Sequence, residues 1–175
     1  MADSRALRLL ARRRVALGFA TAIATAALAQ PTWGTWRAGL VLAVAGEAVR
    51  IWAAGHLEKS REVTRSGPYR WTRHPLYAGS TLVALGVVVA SRSAIVAGLV
   101  VVYMAATVTA AIRIEEAFLQ RTFGDAYGQY RDARSEPMPR RFSLARAMRN
   151  REYRAAAGLV AGFALLALKA ARSLE

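Results

Sequence analysis

Cysteine is absent from the 175-residue chain, which excludes disulfides, thiolate nucleophiles and cysteine-ligated metals. Two histidines cannot by themselves make a good zinc site, so no metal is expected. Gly-x-Gly-x-x-Gly, the Walker loop, Gly-x-Ser-x-Gly and His-Glu-x-x-His are all missing, and with them the common dinucleotide, phosphate, hydrolase and zinc signatures. Acidic residues are scarce: 11 stand against 25 lysines and arginines, a net charge of +14. Yet 55% of the residues are hydrophobic and the mean hydropathy is +0.22. A soluble chain this rich in Ala, Val and Leu is not normally so basic.

Segregation resolves the conflict. The apolar residues come in runs and the arginines lie between them, as in a small polytopic membrane protein. The arginines flank apolar segments and do not form one basic helix or arm, so nucleic acid is not the expected partner. Anionic membrane lipid headgroups are the simpler one.

The expected fold is all-α: one domain over residues 1–175, an integral membrane helical bundle with four core transmembrane helices. Arg5, Arg8, Arg12, Arg13 and Arg14 precede an uncharged run over 15–29. A basic start, an apolar run and Ala27-Leu28-Ala29 also fit a signal peptide, but the run is read as the first span. Pro31 and Gly34 mark a turn, with Trp33 and Trp36 as interface anchors. The second span, 36–57, carries Glu47 and Arg50 on one face and His56 near its end. That pair reads equally as a structural ion pair or as a polar pocket open to the cytoplasmic side.

A polar loop over 58–75 leads to a third span, 76–90. The three residues 91–93 force an antiparallel hairpin with a fourth, 94–112. Gly79, Gly86 and Gly98 would let these helices approach closely. Residues 113–131 are expected as a cytoplasmic helix at the membrane surface or over the helix ends. Its apolar side is Phe118, Leu119, Phe123, Tyr127 and Tyr130. Residues 134–154 read as a basic, irregular stretch whose arginines, Arg140, Arg141, Arg146, Arg149, Arg151 and Arg154, meet anionic lipid. Residues 155–168, with Gly158 and Gly162, are a candidate fifth membrane helix.

The N-terminus, the 58–75 loop and residues 113–154 hold five, five and ten of the 25 cationic residues. The positive-inside rule places them in the cytoplasm, with the bacterial inner membrane as the expected location. Within that rim lies the densest stretch, Gly67-Pro68-Tyr69-Arg70-Trp71-Thr72-Arg73-His74-Pro75-Leu76-Tyr77-Ala78-Gly79. Its prolines shape the loop. Backbone N–H groups at the start of the third helix, with Arg73 and His74, could hold a carboxylate. Glu115 and Glu116 could receive an ammonium or ribose hydroxyls. A zwitterionic amino acid joined to a nucleoside satisfies both.

Gly-Pro-Tyr-x-x-x-Arg-His-Pro-x-Tyr-x-Gly, then Glu115-Glu116, then Phe123-Gly124-Asp125-Ala126-Tyr127-Gly128-Gln129-Tyr130 resembles the isoprenylcysteine carboxyl methyltransferase and phospholipid methyltransferase superfamily of membrane methyltransferases. The resemblance spans roughly residues 36–142. It implies S-adenosyl-L-methionine as cofactor, bound on the cytoplasmic side by Tyr69, Arg73, His74, Pro75, Tyr77, Gly79 and Glu116. It further implies that Glu115, Glu116 and Arg113 serve the reacting centre, and that a lipophilic or lipid acceptor enters from the bilayer. A carboxylate acceptor needs no base, whereas an ammonium must first lose a proton, which Glu115 or Glu116 could take. Met138-Pro139-Arg140-Arg141-Phe142 departs from the hydrophobic-Pro-Phe segment usual in the superfamily. The acceptor remains open between an isoprenylcysteine-like carboxylate, an ethanolamine phospholipid amine and a small enol or phenol. The rivals are a sterol-type NADPH reductase, which needs a larger chain, and a non-catalytic basic membrane protein that binds anionic lipid or a partner. Oligomeric state is not legible.

Overall fold

A computed structural model describes residues 2–172, and side chains from 13 onward except Arg14. The N-terminal side chains Arg5, Arg8, Arg12 and Arg14 therefore lie outside the described set. Among the described residues there is no strand. Six α-helices follow one another: α1 Ala2–Leu28, α2 Trp33–Ala54, α3 Pro75–Ser91, α4 Ala94–Arg131, α5 Leu144–Arg149 and α6 Tyr153–Arg172. A 3₁₀ turn, Gly67–Arg70, interrupts the loop before α3.

Two helices, α4 and α6, are long and apolar enough to cross a membrane; Val15–Leu28 and Pro75–Ser91 are shorter apolar helices. Apolar side chains on α4 point outward, with Ile95, Val101 and Val102 each more than half exposed. Such a face needs lipid around it.

The helix limits differ from expectation for local reasons. Trp33 opens α2 instead of standing in the turn, because Thr32 and Thr35 form a reciprocal cap: Thr35 N–H donates to Thr32 Oγ1 and Thr32 N–H to Thr35 Oγ1 (3.0 Å). Arg92 takes a left-handed φ of 48° and Ser93 caps α4 at Val96 N–H, so two residues suffice for the hairpin. The polar helix expected over 113–131 follows the fourth span without a break. Nothing between Gly98 and Phe123 can stop a helix, and α4 runs on until Gly124, whose φ of 47° redirects the last turns. Residues 113–123 thus extend the α4 axis and do not form a separate surface helix. At the C-terminal end, α6 starts earlier and ends later than expected, and its 20 residues match a span.

The α2–α3 contact is the tightest in the molecule. A Cβ on Gly46 would come within 2.6 Å of Gly79 O, and one on Gly79 within 2.7 Å of Gly46 O. Gly98, by contrast, has open space beside it and packs against nothing, as do Gly158 and Gly162. At the end of the bundle away from the site, Trp36 Nε1 donates to Phe163 O (2.8 Å), and Ala29, Ala43, Ala90 and Leu166 complete a small core. Lys169 Nζ donates to Ala26 O (2.8 Å) and Ala27 O (2.9 Å), placing a cation on the C-terminal carbonyls of α1. These contacts lay α1, α2, α3, α4 and α6 in alternating directions. The 55–75 loop and residues 113–153 consequently share one end.

Buried Glu47 and half-buried Arg50 form an ion pair and together line a cavity of 280 Å³, so features of both readings are present. Arg50 also contacts Glu152 and Ser80, tying α2 to α3 and to the start of α6.

Arg140 and Arg146, read as facing lipid, are engaged by acids of the 55–75 loop. Arg140 Nη2 donates to Glu62 (2.8 Å), while Arg146 donates to Glu58 (2.7 Å) and to Gly55 O (2.6 Å). Asn150 Nδ2 donates to Ala54 O and Leu57 O, both at 2.9 Å. Residues 138–150 are therefore a strap that caps the C-terminal carbonyls of α2, with Phe142 against Gly55 and His56. Asn150→Leu is expected to lower stability by about 1–3 kcal/mol, since it orphans two partly buried carbonyls. A detergent melting curve unchanged from wild type would refute that role.

Candidate functional site

The loop before α3 is built around Gly67, whose φ of 56° starts the 3₁₀ turn and whose missing side chain leaves room for the His56 ring. His56 Nδ1 and Ser66 Oγ are 3.1 Å apart and buried. Pro68 and Tyr69 are buried by the turn, and the Tyr130 hydroxyl donates to Tyr69 O (2.8 Å), which fastens the end of α4 onto the loop. Trp71 is three-quarters exposed, and its ring lies tilted against Trp52 at 5.5 Å.

His74 occupies the N-cap position of α3 and Pro75 the first helical one. Its ring makes no cap bond. Instead His74 Nε2 lies 3.1 Å from Glu116 Oε1, and Arg73 Nη1 lies 3.1 Å from the same oxygen. His74 Nδ1 is buried with no partner. The Tyr77 ring stands 5.8 Å from the imidazole.

Beside this triad is a cleft of 440 Å³. One wall is a single face of α4: Thr107, Ala111, Ile114, Glu115, Phe118 and Leu119. Tyr69, Arg73, Leu76, Tyr77 and Tyr130 form the other wall, and loop residues 57–64 contribute Leu57, Lys59, Ser60, Val63 and Thr64. The two glutamates, one helical step apart, have separated tasks. Glu116 joins Arg73 and His74, and Glu115 lines the cleft. Burial, then the nearby Glu115 carboxylate, pushes the Tyr69 hydroxyl pKa up. Burial likewise pushes Tyr130 up to about 12 and raises Tyr127, so all three tyrosines stay neutral at physiological pH.

Three expected site residues sit elsewhere. Gly79 is in the α2–α3 contact, where it fixes the height of α3. Pro75 is fully buried at the helix start. Arg113 is exposed and does not line the cleft, because it falls on another face of α4 than Glu115. Conversely, Lys59, Ser60, Val63 and Thr64 escaped notice. They carry no motif, and only the fold of the loop brings them to the cleft. No group of three or more metal-ligating side chains occurs among the described residues.

Residues 48–126 match the model of the phospholipid methyltransferase family. That segment holds the Gly67–Gly79 and Glu115-Glu116 motifs whole and ends inside the Phe123–Tyr130 motif, so the resemblance read from the motifs holds there. The chain is also 33% identical over 98 residues to the cobalt-zinc-cadmium resistance protein CzcN of Cupriavidus metallidurans. The match covers 51% of this chain and 45% of that relative, so the chain spans less than half of the relative's length. No solved structure matches the chain.

Proposed function

We propose that this chain is an integral membrane S-adenosyl-L-methionine-dependent methyltransferase acting on a lipophilic or lipid acceptor. In this reading α1, α2, α3, α4 and α6 all span the bilayer, and the cationic end that carries the cleft faces the cytoplasm. The observation that supports it is the convergence of Arg73, His74 and Glu116 beside a 440 Å³ cleft with a polar rim and an apolar α4 wall. That volume suits a nucleoside-sized ligand.

The residues fit the cofactor. Arg73, which lines the cleft, is a fork for a carboxylate, and the neighbouring His74 keeps a buried Nδ1 without a partner. Glu115 could receive an ammonium or ribose hydroxyls, and Tyr69 and Tyr77 offer ring faces for a base or a cationic sulfur. When bound, S-adenosylmethionine supplies a methyl group activated by its sulfonium. The chain's own part is to bind, align and exclude water, which Leu76, Ile114, Phe118 and Leu119 do from the bilayer side. The opening beside the apolar α4 face admits an acceptor laterally.

The leading acceptor class is an isoprenylcysteine-like carboxylate, which needs no base. An ethanolamine phospholipid is the second, favoured by the description of the matching family; Glu115 would then take the proton from the ammonium. Methyl-labelled cofactor separates them. With the chain in nanodiscs, label released as methanol by mild base marks a carboxyl methyl ester. Label retained through base marks an N-methyl product. No labelled product from either acceptor class, by folded protein that binds S-adenosylhomocysteine, would overturn both acceptors.

A further inference from the structure

A second basin of 370 Å³ lies behind the cleft, on the far side of Tyr69 and Tyr130. Arg65, Arg70, Arg73 and Arg131 line it, together with the hydroxyl-bearing Thr72 and Ser135. Two of the acids near it are already taken, and a third, Glu136, is exposed between Ser135 and Pro137. Arg131 Nε (3.1 Å) and Arg134 Nη2 (2.6 Å) hold the Asp132 carboxylate, and Arg73 with His74 holds Glu116. Arg65 and Arg70 have no acidic partner, and the Nε of Arg65 is sealed from solvent with no acceptor at all. A buried guanidinium nitrogen without an acceptor is a costly arrangement that an anion relieves.

We propose that this basin binds a phosphate group, carried on a membrane lipid headgroup or on a small soluble molecule. Arg65 and Arg70 bring two guanidinium forks without acids, Arg73 and Arg131 add positive charge at the rim, and a tetrahedral phosphate offers oxygens to more than one side at once. Thr72 Oγ1 accepts from His74 N–H (3.3 Å), which leaves its own proton to donate. Tyr69, Arg73 and Tyr130 line both basin and cleft, so the two ligands would be separated by one layer of side chains. The proposal uses Arg65 and Arg70, neither of which the methyltransferase reading requires.

The test uses the full chain in phosphatidylcholine nanodiscs, titrated with inorganic phosphate against acetate at equal ionic strength. A second arm adds phosphatidic acid to the bilayer and follows the melting temperature. Arg70 is exposed, so Arg70→Gln should fold; Arg65→Gln probes the buried nitrogen, and Arg141→Gln controls for general charge loss. Stabilisation by inorganic phosphate assigns a soluble ligand, and stabilisation by phosphatidic acid alone assigns a headgroup. Either supports the site if Arg70→Gln weakens the response roughly tenfold and Arg141→Gln does not. An equal response to acetate, no response in either arm, or equal losses in Arg70→Gln and Arg141→Gln overturns it. Arg70→Gln is expected to keep wild-type affinity for S-adenosylhomocysteine. Failure of the cofactor reading and failure of the phosphate site are thereby distinguished.

Discussion

Glu116→Ala is expected to weaken binding of S-adenosylhomocysteine by roughly one to two orders of magnitude, as the loss of charge-assisted hydrogen bonds worth about 1.5–3 kcal/mol implies. One oxygen of this carboxylate receives both Arg73 and His74, each at 3.1 Å. Without it the guanidinium has no acid beside it and the imidazole loses the partner that turns its ring, so the two groups offered to a cofactor carboxylate are both misaimed. Glu116→Gln keeps an acceptor oxygen but not the charge, and should fall between alanine and wild type. Glu115→Gln should behave differently. Glu115 lines the cleft without joining the triad, so its loss should act on turnover of an amine acceptor more than on affinity for the cofactor product. Calorimetry on detergent-purified protein, with melting curves to show that each variant folds, makes the comparison. Wild-type affinity in Glu116→Ala would remove the triad from the cofactor site.

The positions of Arg73, His74, Glu115 and Glu116 were legible because helix-starting prolines and adjacent acids carry short-range signals. Gly67-Pro68 and His74-Pro75 fix a shaped loop and a helix start whatever surrounds them. Which glutamate does what was not legible. One step of about 100° along α4 sends Glu115 into the cleft and Glu116 toward the start of α3, and only the packing of α4 sets that phase. The direction of α4 past residue 112 was not legible for a related reason: a change from apolar to charged composition marks where lipid ends, not where a helix turns. The strap was misread because arginines near a membrane ordinarily meet headgroups. Glu58 and Glu62 take Arg146 and Arg140 across some eighty residues, a pairing that no local pattern announces. His74 shows packing overriding local position. It occupies the cap position, yet its ring serves Glu116 and not the helix.

Gly46→Ala should cost about 1–3 kcal/mol for overpacking. The added carbon would stand 2.6 Å from Gly79 O and 2.7 Å from Val83 N, both backbone atoms that no rotamer change can move. Either α2 and α3 separate or α3 slides, and α3 carries His74 and Tyr77 at its first turn. Relief by sliding would move those rings relative to Glu116, which rides on α4 and is not pushed. Gly46→Ala is therefore expected to lower the melting temperature and also the affinity for S-adenosylhomocysteine, although it touches no ligand. Gly98→Ala is the matched control, for its new methyl meets nothing within 4 Å and α4 there faces outward. If the two variants melt together and bind alike, the glycine contact does not hold α3 at its height. The site would then owe its geometry to the loop and to the Tyr130–Tyr69 fastening alone.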